Sequence, residues 1–79
     1  MISLNILNIR KFLEVVNECE GEIKMRCTDG SKVNIRRQYA VQNKLQEQYR
    51  RNRNCLPITL SIPNPRDYMS IVAYYAGDC

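Results

Sequence analysis

Hydrophobic and polar residues alternate with a period of two in three short stretches of the chain. These are residues 2–6, residues 22–27 and residues 32–35, and the alternation predicts strands with one apolar face. A fourth stretch, residues 56–62, is rich in β-branched residues and is also expected to be a strand. The pattern therefore predicts a domain with four strands.

Turn-forming residues mark the ends of these strands. Asp29 and Gly30 lie between the second and third strands and are a strong hairpin signal, so these two strands are expected to pair antiparallel. Pro57 and Pro63 frame the fourth strand. Because proline cannot donate to a hydrogen-bond ladder, one edge of that strand is expected to lie near solvent or near the end of the sheet.

Two segments between the strands have apolar residues at helical spacing. Asn8 is a favourable N-cap for a helix that continues to about Glu18. Residues 36–49 contain neither glycine nor proline, and Val41, Leu45 and Tyr49 recur at four-residue steps. This second segment is expected to be a surface helix with a broad basic face.

The clearest helix signal lies near the end of the chain. Asn64 is the expected N-cap, and proline follows at the first helical position. The helix is expected to end at Gly77 and to bury an apolar stripe formed by Tyr68, Ile71, Val72 and Tyr75. The element order is then βαββαβα, which is typical of a single α+β domain over residues 1–79 with helices on one face of an antiparallel sheet.

The composition limits the chemistry that this chain supports. Its 79 residues include no histidine, so the commonest general base and the commonest zinc ligand are missing. We expect no enzyme, no cofactor and no metal, with one reservation for the thiol of Cys55 beside a basic stretch. The sequence has no signal peptide and no long apolar run, which predicts a cytoplasmic protein without a membrane segment.

The cysteines indicate a reducing compartment. Their spacing matches no C-x-x-C metal or redox motif, and we expect free thiols. Two disulfides or a metal site are the alternatives. The four residues are Cys19, Cys27, Cys55 and Cys79.

The net charge of +4 is concentrated in one part of the chain. The segment 36–53 contains six cations and one acid, which gives +5 and leaves −1 for the rest of the sequence. An acidic counterpart lies between Glu14 and Glu22, so the molecule is expected to be dipolar. The cations of the segment are Arg36, Arg37, Lys44, Arg50, Arg51 and Arg53.

The segment that joins the predicted hairpin to the second helix resembles a known family. Gly30-Ser31-Lys32-Val33-Asn34-Ile35-Arg36 is similar to the Gly-Lys-x-Val-Asn-Leu-Lys stretch of HPr, the small phosphocarrier of the bacterial sugar phosphotransferase system. The resemblance covers residues 12–76 and includes the element order. It implies an open-faced sandwich with strand order 1-4-2-3, three helices on one face, and a first strand that is short or missing.

The functional positions of the HPr family do not carry over to this chain. Counted without gaps, the histidine of the family's His-x-Arg-Pro pattern falls on Asn5, and its arginine and proline fall on Leu7 and Asn8. The family's regulatory serine falls on Arg37, which has a fixed positive charge. The resemblance therefore implies a divergent member that cannot carry phosphate on histidine.

The first functional hypothesis is a non-catalytic, regulatory module that binds a protein partner. The expected surface is the start of the second helix. An ordinary solvated helix face is the alternative interpretation of the same residues. They are Arg36, Arg37, Gln38, Tyr39, Val41, Gln42 and Lys44.

The second hypothesis is a small nucleic-acid-binding or inhibitor protein that acts through the basic segment 36–53. Arg50, Arg51 and Arg53 would extend the phosphate-binding surface of the helix, and Tyr39 or Tyr49 would stack on bases. A homodimer is a further expectation, because a short or missing first strand would leave the fourth strand, residues 56–62, with an open edge.

Overall fold

The chain follows the expected order βαββαβα in the computed structural model, which describes residues 2–77. Cys79, one of the four expected thiols, lies outside the described residues. The elements are β1 (Ile2–Ile6), α1 (Ile9–Glu18), β2 (Lys24–Arg26), β3 (Lys32–Asn34), α2 (Tyr39–Arg51), β4 (Leu56–Ser61) and α3 (Pro65–Gly77).

The four strands form one antiparallel sheet in the order β1-β4-β2-β3. This confirms the predicted α+β class and the strand order that the resemblance implied. β1 is present, and it pairs with β4 over its whole length, from Ile2 opposite Leu60 to Ile6 opposite Leu56. β4 therefore lies inside the sheet, and the open edge expected at residues 56–62 was wrong. The two edge strands are β1 and β3.

β4 contains a proline, Pro57, and pairs with β2 over only part of its length. Asn5 lies opposite Pro57, and the Asn5 amide donates to the Tyr75 hydroxyl, away from β4. In an antiparallel pair the opposite residue points the other way, so the backbone of Pro57 faces β2. The β2–β4 pairing ends with Met25 opposite Leu60. β4 lies between β1 and β2 and not at the end of the sheet, and in the described chain only Leu60 and Ser61 of β4 pair with β2.

One face of the sheet and the three helices enclose the core. The strands contribute alternate residues, and each helix contributes one stripe, while Ser3, Lys24 and Thr59 lie on the uncovered face. Burial of each large apolar side chain stabilises the fold by about 1.5–3 kcal/mol. The side chains with the least exposure are those of Ile6, Phe12, Val16, Ile23, Ile35, Leu60 and Ile71.

The predicted caps and the predicted turn are confirmed. The Asn8 side chain accepts a hydrogen bond from the Lys11 amide at 3.2 Å, and the Asn64 side chain accepts one from the Arg66 amide at 2.9 Å. Gly30 has a φ of +88°, a value that favours glycine in the turn between β2 and β3. These local signals fix where α1, α3 and the hairpin begin.

The second helix begins later than the sequence indicated. α2 starts at Tyr39 rather than at residue 36, and it ends at Arg51. The Asn34 side chain accepts the Arg36 amide at 3.2 Å, and Arg37 has a φ of +55°, which is not a right-handed helical value. Arg36, Arg37 and the capping residue Gln38 therefore lie in the approach to the helix.

The buried face of α3 also differs from the predicted stripe. Ile71 is buried as expected, but Tyr74 is 3% exposed, whereas Tyr68 and Tyr75 are 39% and 38% exposed. The Tyr74 hydroxyl donates to the Asn8 carbonyl oxygen at 3.0 Å, and its ring lies 5.9 Å from the ring of Phe12. The helix is rotated because the buried carboxylate of Asp67 belongs to the same face.

This rotation of α3 is tested by truncating the two adjacent tyrosines. We expect Tyr74→Ala to lower the free energy of unfolding by about 3–5 kcal/mol, since it empties a buried aromatic site. Tyr75→Ala should cost about 1 kcal/mol, because the ring is partly solvated. Urea denaturation of both variants measures the difference. Equal losses would show that the predicted stripe was the right one.

Candidate functional site

The antiparallel arrangement of α1 and α2 leaves a groove between them. Asn17, near the end of α1, contacts Gln42 near the start of α2, and the Tyr49 hydroxyl near the end of α2 donates to the carbonyl oxygen of Leu7 before α1. The groove has a volume of about 420 Å³. Its lining includes the apolar side chains of Ile9 and Leu13 and is otherwise mostly polar.

One end of this groove is cationic. Arg10 of α1 and Arg50 of α2 both line it, and neither forms an ion pair with any residue in the range 2–77. The nearest acid on the lining, Glu14, lies 3.8 Å from the ammonium of Lys11 in an exposed pair that contributes little energy. The end beside Arg10 and Arg50 is therefore suited to a negatively charged group.

The other end of the groove is closed by two amide side chains. The Gln42 amide nitrogen donates to the Asn17 side-chain oxygen at 2.7 Å and to the Ile35 carbonyl oxygen at 2.8 Å. The same Asn17 oxygen accepts the Arg37 amide at 2.8 Å. Gln42 is 4% exposed. Gln42 is therefore a buried structural residue that closes the groove, and it contributes little exposed surface to the helix face.

Arg36 and Arg37 serve the end of α1 rather than a surface of α2. The Arg36 side chain donates through Nε to the Cys19 carbonyl oxygen, and Arg37 Nε donates to the Asn17 carbonyl oxygen at 3.4 Å. α1 has no basic residue in its own last turn. The two guanidinium groups supply positive charge where the helix dipole is negative. Part of the basic segment is thus used to stabilise the fold.

The remaining predicted residues at the start of α2 face different ways. Tyr39 is 64% exposed and lies on the helix stripe that continues through Gln42 to the groove. Val41 is half-buried and packs against the core. Gln38 and Lys44 are exposed, and Lys44 lies on the side of α2 opposite the groove lining. Tyr39 therefore shares a helix stripe with the groove lining, although it does not line the groove itself.

The cations at the two ends of the basic segment do not form one patch. α2 has 13 residues and is about 20 Å long, so its length separates Arg37 from Arg50. Arg51 pairs with Glu47 on its own helix, and Arg53 lies in the loop that follows, with a φ of +58°. The sequence did not indicate Arg10 as a candidate binding residue. No local sequence pattern shows which residues of two different helices lie side by side.

Asp67 is a second buried polar residue that the sequence did not reveal. It is 3% exposed, and its carboxylate accepts the Glu20 amide at 3.0 Å and the Gly21 amide at 2.7 Å. A side chain on Gly21 would come within 3.1 Å of this carboxylate. Asp67 therefore fixes the loop after α1 against α3, and a side chain at position 21 would fit only if the Asp67 carboxylate shifted by a few tenths of an ångström.

The thiols in the described part of the chain are not joined to one another. Cys55 donates to the Asn5 side-chain oxygen at 2.7 Å, and buried Cys19 donates to the Val15 carbonyl oxygen. Burial, and after it the charge of Asp67, raises the pKa of Cys19 from its ordinary value of 9.0 to about 11. Cys19 is therefore protonated and poorly nucleophilic at neutral pH.

Between residues 2 and 77, no three His, Cys, Asp or Glu side chains are placed to hold a metal ion. None of the helices there is long and apolar enough to cross a membrane.

Comparison with family models, with curated proteins and with solved structures finds no match to this chain.

The structural role of Gln42 is tested against its neighbour on the groove. Gln42→Ala should lower the free energy of unfolding by about 1–3 kcal/mol, because it removes the hydrogen bonds that the buried Gln42 amide makes with Asn17 and Ile35. Gln46→Ala, one turn further along α2, should change it by about 0.5 kcal/mol or less. Urea denaturation measures both. A neutral Gln42→Ala would contradict the structural assignment.

The raised pKa of Cys19 predicts a loss of stability in alkali. The folded state holds the thiol proton more tightly than the unfolded state, so this contribution is complete below pH 9 and is lost as the pH rises from 9 to 11. Cys19→Ala should lack this part of the decline, and Cys55→Ala should keep it. Urea midpoints across this pH range give the comparison. Identical profiles for wild type and Cys19→Ala would refute the prediction.

Proposed function

We propose that this chain is a non-catalytic, HPr-like interaction and regulatory module that binds a protein partner through the groove between α1 and α2. The observation that carries the proposal is that Arg10 and Arg50 lie on opposite sides of one groove, whose lining also includes the apolar side chains of Ile9 and Leu13. The strand order supports the HPr-like part, since it agrees with the order that the resemblance implied. Asn5, the position matched to the family's histidine, lies within β1 and has no group that accepts phosphate in that way.

The chemistry of the groove indicates what the partner presents. Ile9 and Leu13 offer apolar contact, and the two guanidinium groups at the open end favour a carboxylate. Tyr39 continues the same helix stripe at the amide-closed end, and its exposed ring is a typical anchor in protein interfaces. The fitting partner segment is therefore apolar with an acidic side chain at one end.

The test is affinity capture of the partner with matched charge reversals on one helix. Wild type and the variants Arg50→Glu and Lys44→Glu serve as baits, and mass spectrometry quantifies the recovered proteins. Arg50 lines the groove and Lys44 does not, so Arg50→Glu should recover the partner at least about tenfold less, which corresponds to 1.4 kcal/mol, while Lys44→Glu should match wild type.

Two outcomes would overturn this assignment. Equal recovery by Arg50→Glu would exclude the groove. Loss with Lys44→Glu but not with Arg50→Glu would move the contact to the outer face of α2, as the sequence first indicated for Lys44.

A second candidate function is nucleic-acid binding at the cationic end of the groove. The observation that favours it is that α1 contributes Arg10 and Lys11 beside the end of α2, where Arg50, Arg51 and Arg53 follow one another. If the chain binds nucleic acid, we expect nuclease treatment to remove the molecules that wild type captures. Its affinity also falls with salt on a logarithmic slope of about −0.7 to −0.9 per phosphate contacted.

A further inference from the structure

The two edges of the sheet are protected to different degrees. β3 has three residues and carries Lys32, and short, charged strands resist pairing with other chains. β1 has five residues with no charge and no proline. Long uncharged edge strands are the ones that accept a further strand. Among residues 2–77, β1 is therefore the edge open to pairing.

A side chain of α3 contacts the outward-facing backbone of β1. The Asn5 amide donates to the Tyr75 hydroxyl at 3.3 Å, on the side away from β4. Because alternate residues of a strand point to the same side, the backbone of Ser3 also faces outward. Tyr75 thus occupies one of the positions that an added strand would use, through a long hydrogen bond and a ring that is 38% exposed.

The segment that forms this edge and the adjacent part of α3 contain no charged residue. Seventeen of the twenty charged residues lie between Arg10 and Arg53, and none lies in residues 2–9 or 68–77. α3 presents the partly exposed stripe of Tyr68, Val72 and Tyr75, the last of which contacts the edge itself. Depletion of charge together with exposed aromatic rings is characteristic of protein interfaces.

We infer that β1 is the pairing edge for a second copy of this chain, with the two β1 strands antiparallel across a two-fold axis. The register that places Ser3 of one protomer opposite Asn5 of the other uses both outward-facing residues of each strand. An antiparallel edge is complementary to itself under two-fold symmetry. A protein of net charge +4 repels its own copy, and the uncharged side is where that repulsion is weakest.

The test measures mass against concentration by sedimentation or light scattering. Wild type is expected to rise from 9.3 kDa toward twice that mass as it is concentrated. Ser3→Lys should raise the dimer Kd at least about tenfold, because each interface gains two lysines on the paired edge. Thr59→Lys is the matched control, since Thr59 shares the 3.2 Å hydroxyl contact with Ser3 but lies on the interior strand β4.

A third variant should act in the opposite direction. Tyr75→Phe keeps the ring and removes the hydroxyl that holds the Asn5 amide, so it should lower the dimer Kd about three- to tenfold. In wild type, hydrogen exchange at the Ser3 amide should slow as the protein is concentrated. The inference is overturned if wild type stays at 9.3 kDa throughout, if Thr59→Lys dissociates the dimer as much as Ser3→Lys, or if a dimer forms without protection at Ser3.

Discussion

The arrangement of the helices depends on polar contacts at the C-terminal end of α1. Asp67 binds the two amides of the loop that follows α1, and Asn17 binds both the start of α2 and the backbone before it. A hydrogen bond to a charged group contributes about 1.5–3 kcal/mol, and a buried group that loses its partner is destabilising by a similar amount. In a domain of this size that is a large part of the net stability. These contacts join all three helices, so they determine how the helices lie on the sheet.

This polar junction also decides which cations are available for binding. Arg36 and Arg37 are drawn to the carbonyl oxygens that end α1, where they compensate the helix dipole. Arg10 and Arg50 lie toward the other end of the two helices, and the surrounding fold gives them no such role. Fewer cations of the segment 36–53 are therefore available for binding than the sequence indicates. The cationic end of the groove also needs Arg10, a residue of α1 that is distant along the chain.

The parts of the fold that the sequence predicted are those set by local physics. Period-two alternation, the turn at Gly30 and the caps at Asn8 and Asn64 need no distant contact, and all are confirmed. The start of α2 was wrong because the Asn34 and Asn17 side chains hold its approach in a non-helical conformation. The sequence did not indicate the groove, because the contact that forms its closed end joins two residues that are distant along the chain. Gln42 has the sequence pattern of an exposed helix residue, and only its contact with Asn17 shows that it is buried.

The two surfaces we assign use different sides of the molecule. α1 packs between α2 and α3, so it separates the groove from the β1 edge and from the exposed stripe of α3. Pairing through β1 would therefore leave both grooves open and would hold them at a fixed spacing. A partner with two acidic segments would bind one groove of the dimer and then the other at an effective concentration set by that spacing. The resulting avidity would compensate for weak binding at each single groove. Dimerisation through β1 would raise the overall affinity for such a partner most when the affinity of each single groove is low.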